Sequence, residues 1–315
     1  MRDISWQITI GRYELKMLDS FKVTRSVDKL QDTADIVLPA SVFNKAIEVE
    51  SKIKRGDQVT ILAGYDGTLV KEFVGWLEAI STDDGSLTLQ CEDDIFKFRV
   101  PVKDKQLISA DVKEILQYVC NEVGGFSLEC DYAFKYDSFV IRGATGYDIL
   151  KKIQEECRAN VYIREGVLHL HPQYRQIFGS AKYSFQRNIE SSELEYKNAR
   201  DRAVEVIVEG KDKSGKVIRQ MAGTTGGDQV TIKIDGVSDI STLKALADEQ
   251  LKLKSYTGYS GSFTGWLVPY CEPGYKVSIS DKDYEYKDGD YYVTEVVTSL
   301  SSAGGSRQVT VGMKI

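Results

Sequence analysis

Two histidines, His169 and His171, stand two residues apart in Val167-Leu168-His169-Leu170-His171-Pro172. In a strand that spacing puts both imidazoles on one face, where they could share a metal ion. No third ligand lies close in sequence, so a solvated strand face is the expectation. Carboxylates cluster at Asp83-Asp84, Glu92-Asp93-Asp94 and Glu155-Glu156. Two carboxylates are enough for glycoside hydrolysis. Turn and helix-surface solvation is the plainer account of each cluster. Gly223-Thr224-Thr225-Gly226-Gly227 looks like a phosphate-cradling loop. It lacks the Gly-Lys-Ser/Thr ending and runs into a strand pattern instead of a helix. There is no G-x-S-x-G, no H-E-x-x-H and no Cys–His pair. With two histidines in the whole chain, most hydrolytic mechanisms lack a base. The expectation is a non-enzyme with no catalytic residue, no cofactor and no metal.

The totals narrow the class. The chain has 315 residues, enough for two or three domains. Five cysteines (Cys91, Cys120, Cys130, Cys157 and Cys271) form no C-x-x-C pair and are odd in number. Reduced, mostly buried thiols are expected over a disulfide framework or a zinc site. The net charge of −6 argues against a dedicated nucleic-acid grip, though a mildly acidic wall would let DNA pass without sticking. The start, Met1-Arg2-Asp3-Ile4-Ser5-Trp6, has no apolar core or small-residue cleavage site, so no signal peptide is expected. No apolar run is long enough to span a membrane.

The elements that would position these residues are mostly strands. Trp6, Ile8 and Ile10 alternate, as do Tyr13, Leu15 and Met17, and Ala34-Asp35-Ile36-Val37-Leu38 stops at Pro39. Period-two patterning means one buried face. Gly56–Leu62, Phe73–Ile80 and Leu87–Cys91 continue the style, the last two joined at Asp83-Asp84-Gly85 as a hairpin. Helical spacing then takes over. Val112, Ile115, Leu116, Val119 and Val123 define one helix, capped by Ser109 or Asp111 and ended by Gly124-Gly125. Ile149, Leu150, Ile153 and Cys157 define a second, capped by Thr145. With the hairpin at 160–172 they make a small α/β insert. Strands return from residue 182, interrupted by one helix over about 241–254. The fold class read here is mainly β with an α+β insert: a β module over 1–103, the insert over 104–175, and a second β module with an inserted helix over 176–315.

The two ends look alike. Arg55-Gly56-Asp57-Gln58-Val59-Thr60-Ile61 matches Pro273-Gly274-Tyr275-Lys276-Val277-Ser278-Ile279. Trp76–Ser81 matches Val293–Thr298, Leu87-Thr88-Leu89 matches Val309-Thr310-Val311, and Asp32–Val37 matches Asp201–Val206. Matches in one order at opposite ends point to a duplicated module. Three chains with two modules each can build a six-module ring.

Several stretches carry a family resemblance: Gly56–Val59 and Phe73–Leu77; Tyr147–Leu150 through Glu155-Glu156, and the hairpin from Val161 to Leu170; then Pro273–Val277, Gly289–Val296 and the ending Val309–Ile315. On these the chain resembles the phage late control protein D and baseplate hub family, related to the hub portion of type VI secretion spikes. The resemblance implies two tube-like β-barrel modules flanking the insert. It implies a structural homotrimer in the tail baseplate of the virion, assembled in the bacterial cytoplasm. Its implied partners are the hexameric tail tube ring, a trimeric central spike and the tape measure protein, with DNA passing through unread. The chain ends with the second module, so a hub that binds a separate spike is expected. Two other readings stay open: a carboxylate-dependent cell-wall-degrading tail enzyme, and a receptor- or glycan-binding β module with aromatics along an exposed groove.

Overall fold

The computed structural model describes residues 3–39, 52–83, 86–201, 203–211 and 214–315. The chain opens with β1 (Ile4–Ile10), β2 (Tyr13–Glu14), β3 (Ser20–Ser26), β4 (Thr33–Leu38), β5 (Gln58–Tyr65), β6 (Thr68–Asp83) and β7 (Ser86–Glu92). Next come β8 (Lys105–Asp111), α1 (Val112–Val123), β9 (Ser127–Cys130), β10 (Lys135–Ile141), α2 (Gly146–Cys157), β11 (Ala159–Arg164) and β12 (Val167–Pro172). Then follow β13 (Gly179–Ser184), β14 (Ile189–Ser192), β15 (Glu195–Lys197), β16 (Val204–Lys211), β17 (Val217–Gly223), β18 (Asp228–Ile234) and α3 (Ile240–Lys254). The last strands are β19 (Gly258–Gly265), β20 (Tyr275–Ser280), β21 (Gly289–Ser301) and β22 (Gly304–Lys314). The protein is mainly β, and α1, α2 and α3 lie between residues 112 and 254.

Backbone contacts divide it into two units. The first holds Met1–Phe96, Ile177–Leu194 and Gly261–Val311, and the second holds Lys97–Gln176, Glu195–Ser260 and Gly312–Ile315. Both ends of the chain therefore contribute strands to the first unit. Most of them join one sheet in the order β14-β19-β22-β21-β3-β4-β7-β6-β5-β1-β2. No closed barrel forms among the described residues. Alternation drives the packing: Phe21, Val23, Ala34, Ile36, Val59, Ile61, Leu87 and Leu89 all point into one core.

Strand β6 breaks the alternation twice, and both breaks are bulges. Ile61 faces Phe73 but Leu62 faces Lys71, leaving Glu72 extra; Leu77 faces Cys91 but Ala79 faces Gln90, leaving Glu78 extra. The first bulge explains why Glu72 and Phe73, adjacent in sequence, are both buried.

The sequence repeat is real at β5/β20, but its register needs correction. Gln58 faces Trp76 and Lys276 faces Tyr292, so Trp76 corresponds to Tyr292, one residue earlier than the sequence match placed it. Gly56 and Gly274, just before β5 and β20, share a left-handed φ of 89° and 84°. The Gly56 N–H donates to Leu77 O and the Gly274 N–H to Val293 O, at 2.8 and 2.9 Å. These glycines supply a conformation L-residues resist. Around Gly56 a methyl group would meet nothing within 4 Å, whereas at Gly274 it would sit 2.5 Å from the Phe178 ring. Gly56→Ala is expected to cost about 1 kcal/mol from left-handed strain alone. Gly274→Ala is expected to cost about 2–4 kcal/mol, strain plus overpacking. Urea denaturation of the two variants side by side checks the order.

In the second unit, β11-β12-β9 and the β10-β8 pair accompany α1 and α2. Asp111 caps α1 in a reciprocal box with Glu114, and Thr145 caps α2 the same way with Asp148. Val112, Ile115, Leu116 and Val119 line the inner face of α1. Tyr136 packs edge-on against Phe134 and Phe139 at about 5 Å. The sheet β17-β16-β18 also belongs here, with α3 laid on it through Leu243, Leu246 and Ala247. The match of Asp32–Val37 to Asp201–Val206 therefore does not hold as a module equivalence. β4 lies in the large sheet and β16 in this separate one; Arg202 lies outside the described residues. α3 and its sheet pack with the insert elements within this unit.

Candidate functional site

Most of the chemistry candidates have a place in the structure. Asp94 accepts the Trp76 indole N–H at 2.8 Å, and Asp93 accepts the backbone N–H groups of Asp32 and Ile95. Burial, then the neighbouring Asp32, pushes the Asp93 carboxyl well above the usual carboxylate range. Glu156 accepts the Tyr136 hydroxyl at 2.9 Å and is raised by burial, while Glu155 is exposed on α2. Asp93, Asp94 and Glu156 thus serve the fold as hydrogen-bond acceptors. Asp84 lies outside the described residues. The glycine-rich stretch at 223–227 joins β17 to β18, and its Gly226 N–H donates to the buried Glu205 carboxylate at 3.2 Å. The protein's own acid thus occupies part of what a phosphate would need.

The thiols match their expected reading. Cys91, Cys120, Cys157 and Cys271 are buried, Cys130 is half-buried, and all five are unbonded. Burial pushes Cys120 up to about 11 and Cys91 and Cys271 up to about 12, which keeps them protonated and inert.

The histidines do gain a third neighbour, one that sequence spacing alone could not reveal. Strand β9 pairs in parallel with β12 and puts Glu129 opposite His169. Asp131 follows and meets the His171 Nδ1 at 2.7 Å. One donor atom from each of Glu129, His169 and His171 lies within 4.8 Å of the others. Burial, with Glu129 opposing it, lowers His169 from its ordinary value.

The arrangement with the clearest larger meaning is the order of the large sheet itself. β14-β19-β22-β21 is followed by β3-β4-β7-β6, and every neighbouring pair in the second four has its counterpart in the first. β4 pairs antiparallel with β7 as β19 does with β22; β3 pairs with β4 as β14 does with β19. The true counterpart of β4 is therefore β19. The two fours join where β21, over Glu295–Ser301, pairs with β3 over Ser20–Ser26. Two edges lack that partner among the described residues. β5 pairs with β6 only over Thr68–Trp76, leaving the far end of β6 with β7 alone, and β14 pairs only with β19.

A buried ion pair fastens the two fours together. Arg307 on β22 reaches the bulged Glu72 on β6 in a bidentate pair at 2.7 and 3.1 Å, both side chains 1–2% exposed. Arg307 also donates to the carbonyls of Leu267 and Cys271 and to Thr298 Oγ1, and Tyr270 stacks 4.9 Å from its guanidinium. A second cluster joins Arg25 to Asp32, Glu272 and Tyr270 at 2.7–3.1 Å. An open cleft of about 990 Å³ lies over the β3–β21 joint, with Phe21, Lys22, Asp35, Tyr65, Glu190 and Trp266 among its walls. The loop Asp281–Asp288 presents Tyr284 and Tyr286, 50% and 71% exposed, with Lys287 over both rings.

No protein-family sequence profile matches the chain. No curated protein matches it by sequence. Solved structures do match in fold. A tail protein from Neisseria meningitidis MC58 superposes with a TM-score of 0.68 at 14% identity, covering 98% of this chain and 96% of that one. The 43 kDa tail protein of prophage MuSo2 from Shewanella oneidensis gives 0.67 at 15% identity, covering 99% and 98%. An E. coli protein described as a type VI secretion system component with structural similarity to the T4 bacteriophage tail proteins gp27 and gp5 gives 0.60 at 9% identity, covering 98% and 76%. The chain has the fold of these proteins from end to end.

Proposed function

We propose that the chain is a structural baseplate hub protein of a phage tail or phage-like contractile injection system. Three copies close into a pseudo-six-fold ring that adapts the hexameric tail tube to a trimeric spike. The observation that carries this reading is the repeated four-strand order with one unfilled joint at each end. Within the chain, the last strand of one four takes the first strand of the next. Repeating that step between chains seats β14 of one copy on the open end of β6 of its neighbour. Three copies supply six fours, and the sheet closes into a barrel without an edge. The fold shared with phage tail proteins supports the same reading.

The net charge of −6 suits a conduit through which DNA slides without being held. The exposed Tyr284 and Tyr286 suit docking to the tube ring or spike, since tyrosine is enriched at interfaces. Tape measure contact would fall in the lumen. No helix of the described residues is long and apolar enough to cross a membrane. A glycan-binding or cell-wall-degrading role would use the cleft with Trp266, Asp35 and Glu190, the groove that places aromatic and acidic groups together.

Light scattering across a concentration series tests the ring. The expected mass is three times the 35.3 kDa chain. Hydrogen exchange should then show residues 79–83 and 189–192 protected together as the trimer forms. A mass fixed at one chain, at high concentration and with those amides unprotected, would remove the observation on which the reading stands.

A further inference from the structure

We propose that Glu129, His169 and His171 form a binding site for a borderline divalent metal ion of the zinc class, held in place by Asp131. The site is built by three neighbouring strands. His169 and His171 share a face of β12 because they are two residues apart. β9 runs parallel beside it, in a register that sets Glu129 against His169. β11 on the other side sets Tyr162 against His169, and the two rings stack 4.8 Å apart, nearly parallel at 11°. The ring of His169 is thereby held in one orientation.

Two observations point to a ligand. First, the His169 Nδ1 is buried and has no hydrogen-bond partner; the Glu129 carboxylate stands 3.5 Å away, beyond bonding geometry. A buried, unsatisfied ring nitrogen costs about 1–3 kcal/mol unless something takes its lone pair or proton. Second, His171 is 2% exposed and is gripped by Asp131 at 2.7 Å. That is how a carboxylate fixes the ring of a metal-bound histidine. The donor atoms, within 4.8 Å of one another, need to close to roughly 3.3 Å for a tetrahedral ion with bonds of about 2 Å. Glu129 can make that move, because its side chain is 63% exposed.

The donor set selects the ion. Two imidazoles with carboxylates suit zinc and its transition-metal neighbours, whereas magnesium and calcium prefer oxygen alone. Bound there, the ion would tie the four-residue edge strand β9 to β12.

The full chain is incubated with excess zinc chloride, desalted and assayed for metal. About one zinc per chain is expected to remain, with a raised Tm. Cobalt loading should give the visible absorption of a tetrahedral site. Glu129→Gln, at an exposed position that leaves the fold intact, and His169→Gln should each abolish retention and the cobalt bands. Asp131→Asn should weaken affinity about 10- to 100-fold. Retention of no zinc by the wild-type chain overturns the proposal. So does zinc held equally by the wild type and by both Gln variants, since the ion would then sit elsewhere.

Discussion

Arg307→Met is expected to lower stability by about 3–5 kcal/mol, because it leaves the buried Glu72 carboxylate without its ion-pair partner, with the Thr298 hydroxyl as its remaining donor. Both side chains are 1–2% exposed, so water cannot stand in for the lost partner. The substitution also strips a donor from the Leu267 and Cys271 carbonyls and from Thr298. Methionine fills much of the arginine's volume, so the loss reports charge and hydrogen bonding more than cavity. Glu72→Gln should cost less, since the amide oxygen still accepts one guanidinium bond. The double variant Glu72→Met/Arg307→Met should be more stable than Arg307→Met alone, because no uncompensated charge remains. Urea titration of the wild type, Glu72→Met, Arg307→Met and the double variant closes the cycle. A loss below about 1 kcal/mol for Arg307→Met would mean that the pair is not the fastening between the two strand groups.

That fastening also marks where sequence reading stops. Hairpins, helices and caps follow from local spacing, and Asp111, Thr145 and the Gly124 stop were all legible. The cap of α3 is Asp239, whose side chain accepts the Thr242 N–H. Glu72 looks like a solvated strand residue until the bulge in β6 turns it inward, and a bulge is set by a distant partner strand. Strand pairing sets Trp76 level with Tyr292, one residue from where the match along the sequence sets it. β19 reads poorly as the counterpart of β4 because Gly258-Tyr259-Ser260-Gly261-Ser262 has no alternating apolar run. β16, Val204–Val208, has such a run and took its place, though it folds in the other unit. β9 is too short to show a pattern, and its parallel pairing brings Glu129 to His169 across 40 residues. What sequence missed is long-range pairing, and that pairing is what builds both the joint and the histidine cluster.

The ring predicts that two chains damaged at opposite edges rescue one another. Asp83 faces Ser86 across the β6–β7 turn, and in a two-residue hairpin that flanking pair exchanges both its hydrogen bonds. The Thr82 N–H therefore points away from β7, to the open side. Proline is tolerated at such an edge position within one chain but removes a bond from any strand added there. On the other edge, Glu190 is exposed and lies in the irregularity between Ile189 and Ser191, facing no residue of β19. Thr82→Pro and Glu190→Pro should thus keep the single chain folded, with circular dichroism unchanged. Each should weaken association by about 10- to 100-fold per contact, so each variant alone should scatter as a single chain. Their equimolar mixture should instead reach the mass of two chains. One partner still has a sound β6 edge, the other a sound β14 edge, and only one such joint can form. This complementation follows from a head-to-tail interface, in which two different surfaces meet. A two-fold dimer that paired β6 with β14 would stop at two chains without any substitution, whereas the unmodified ring reaches three. Variants that remain trimeric on their own would place the contact away from both strands.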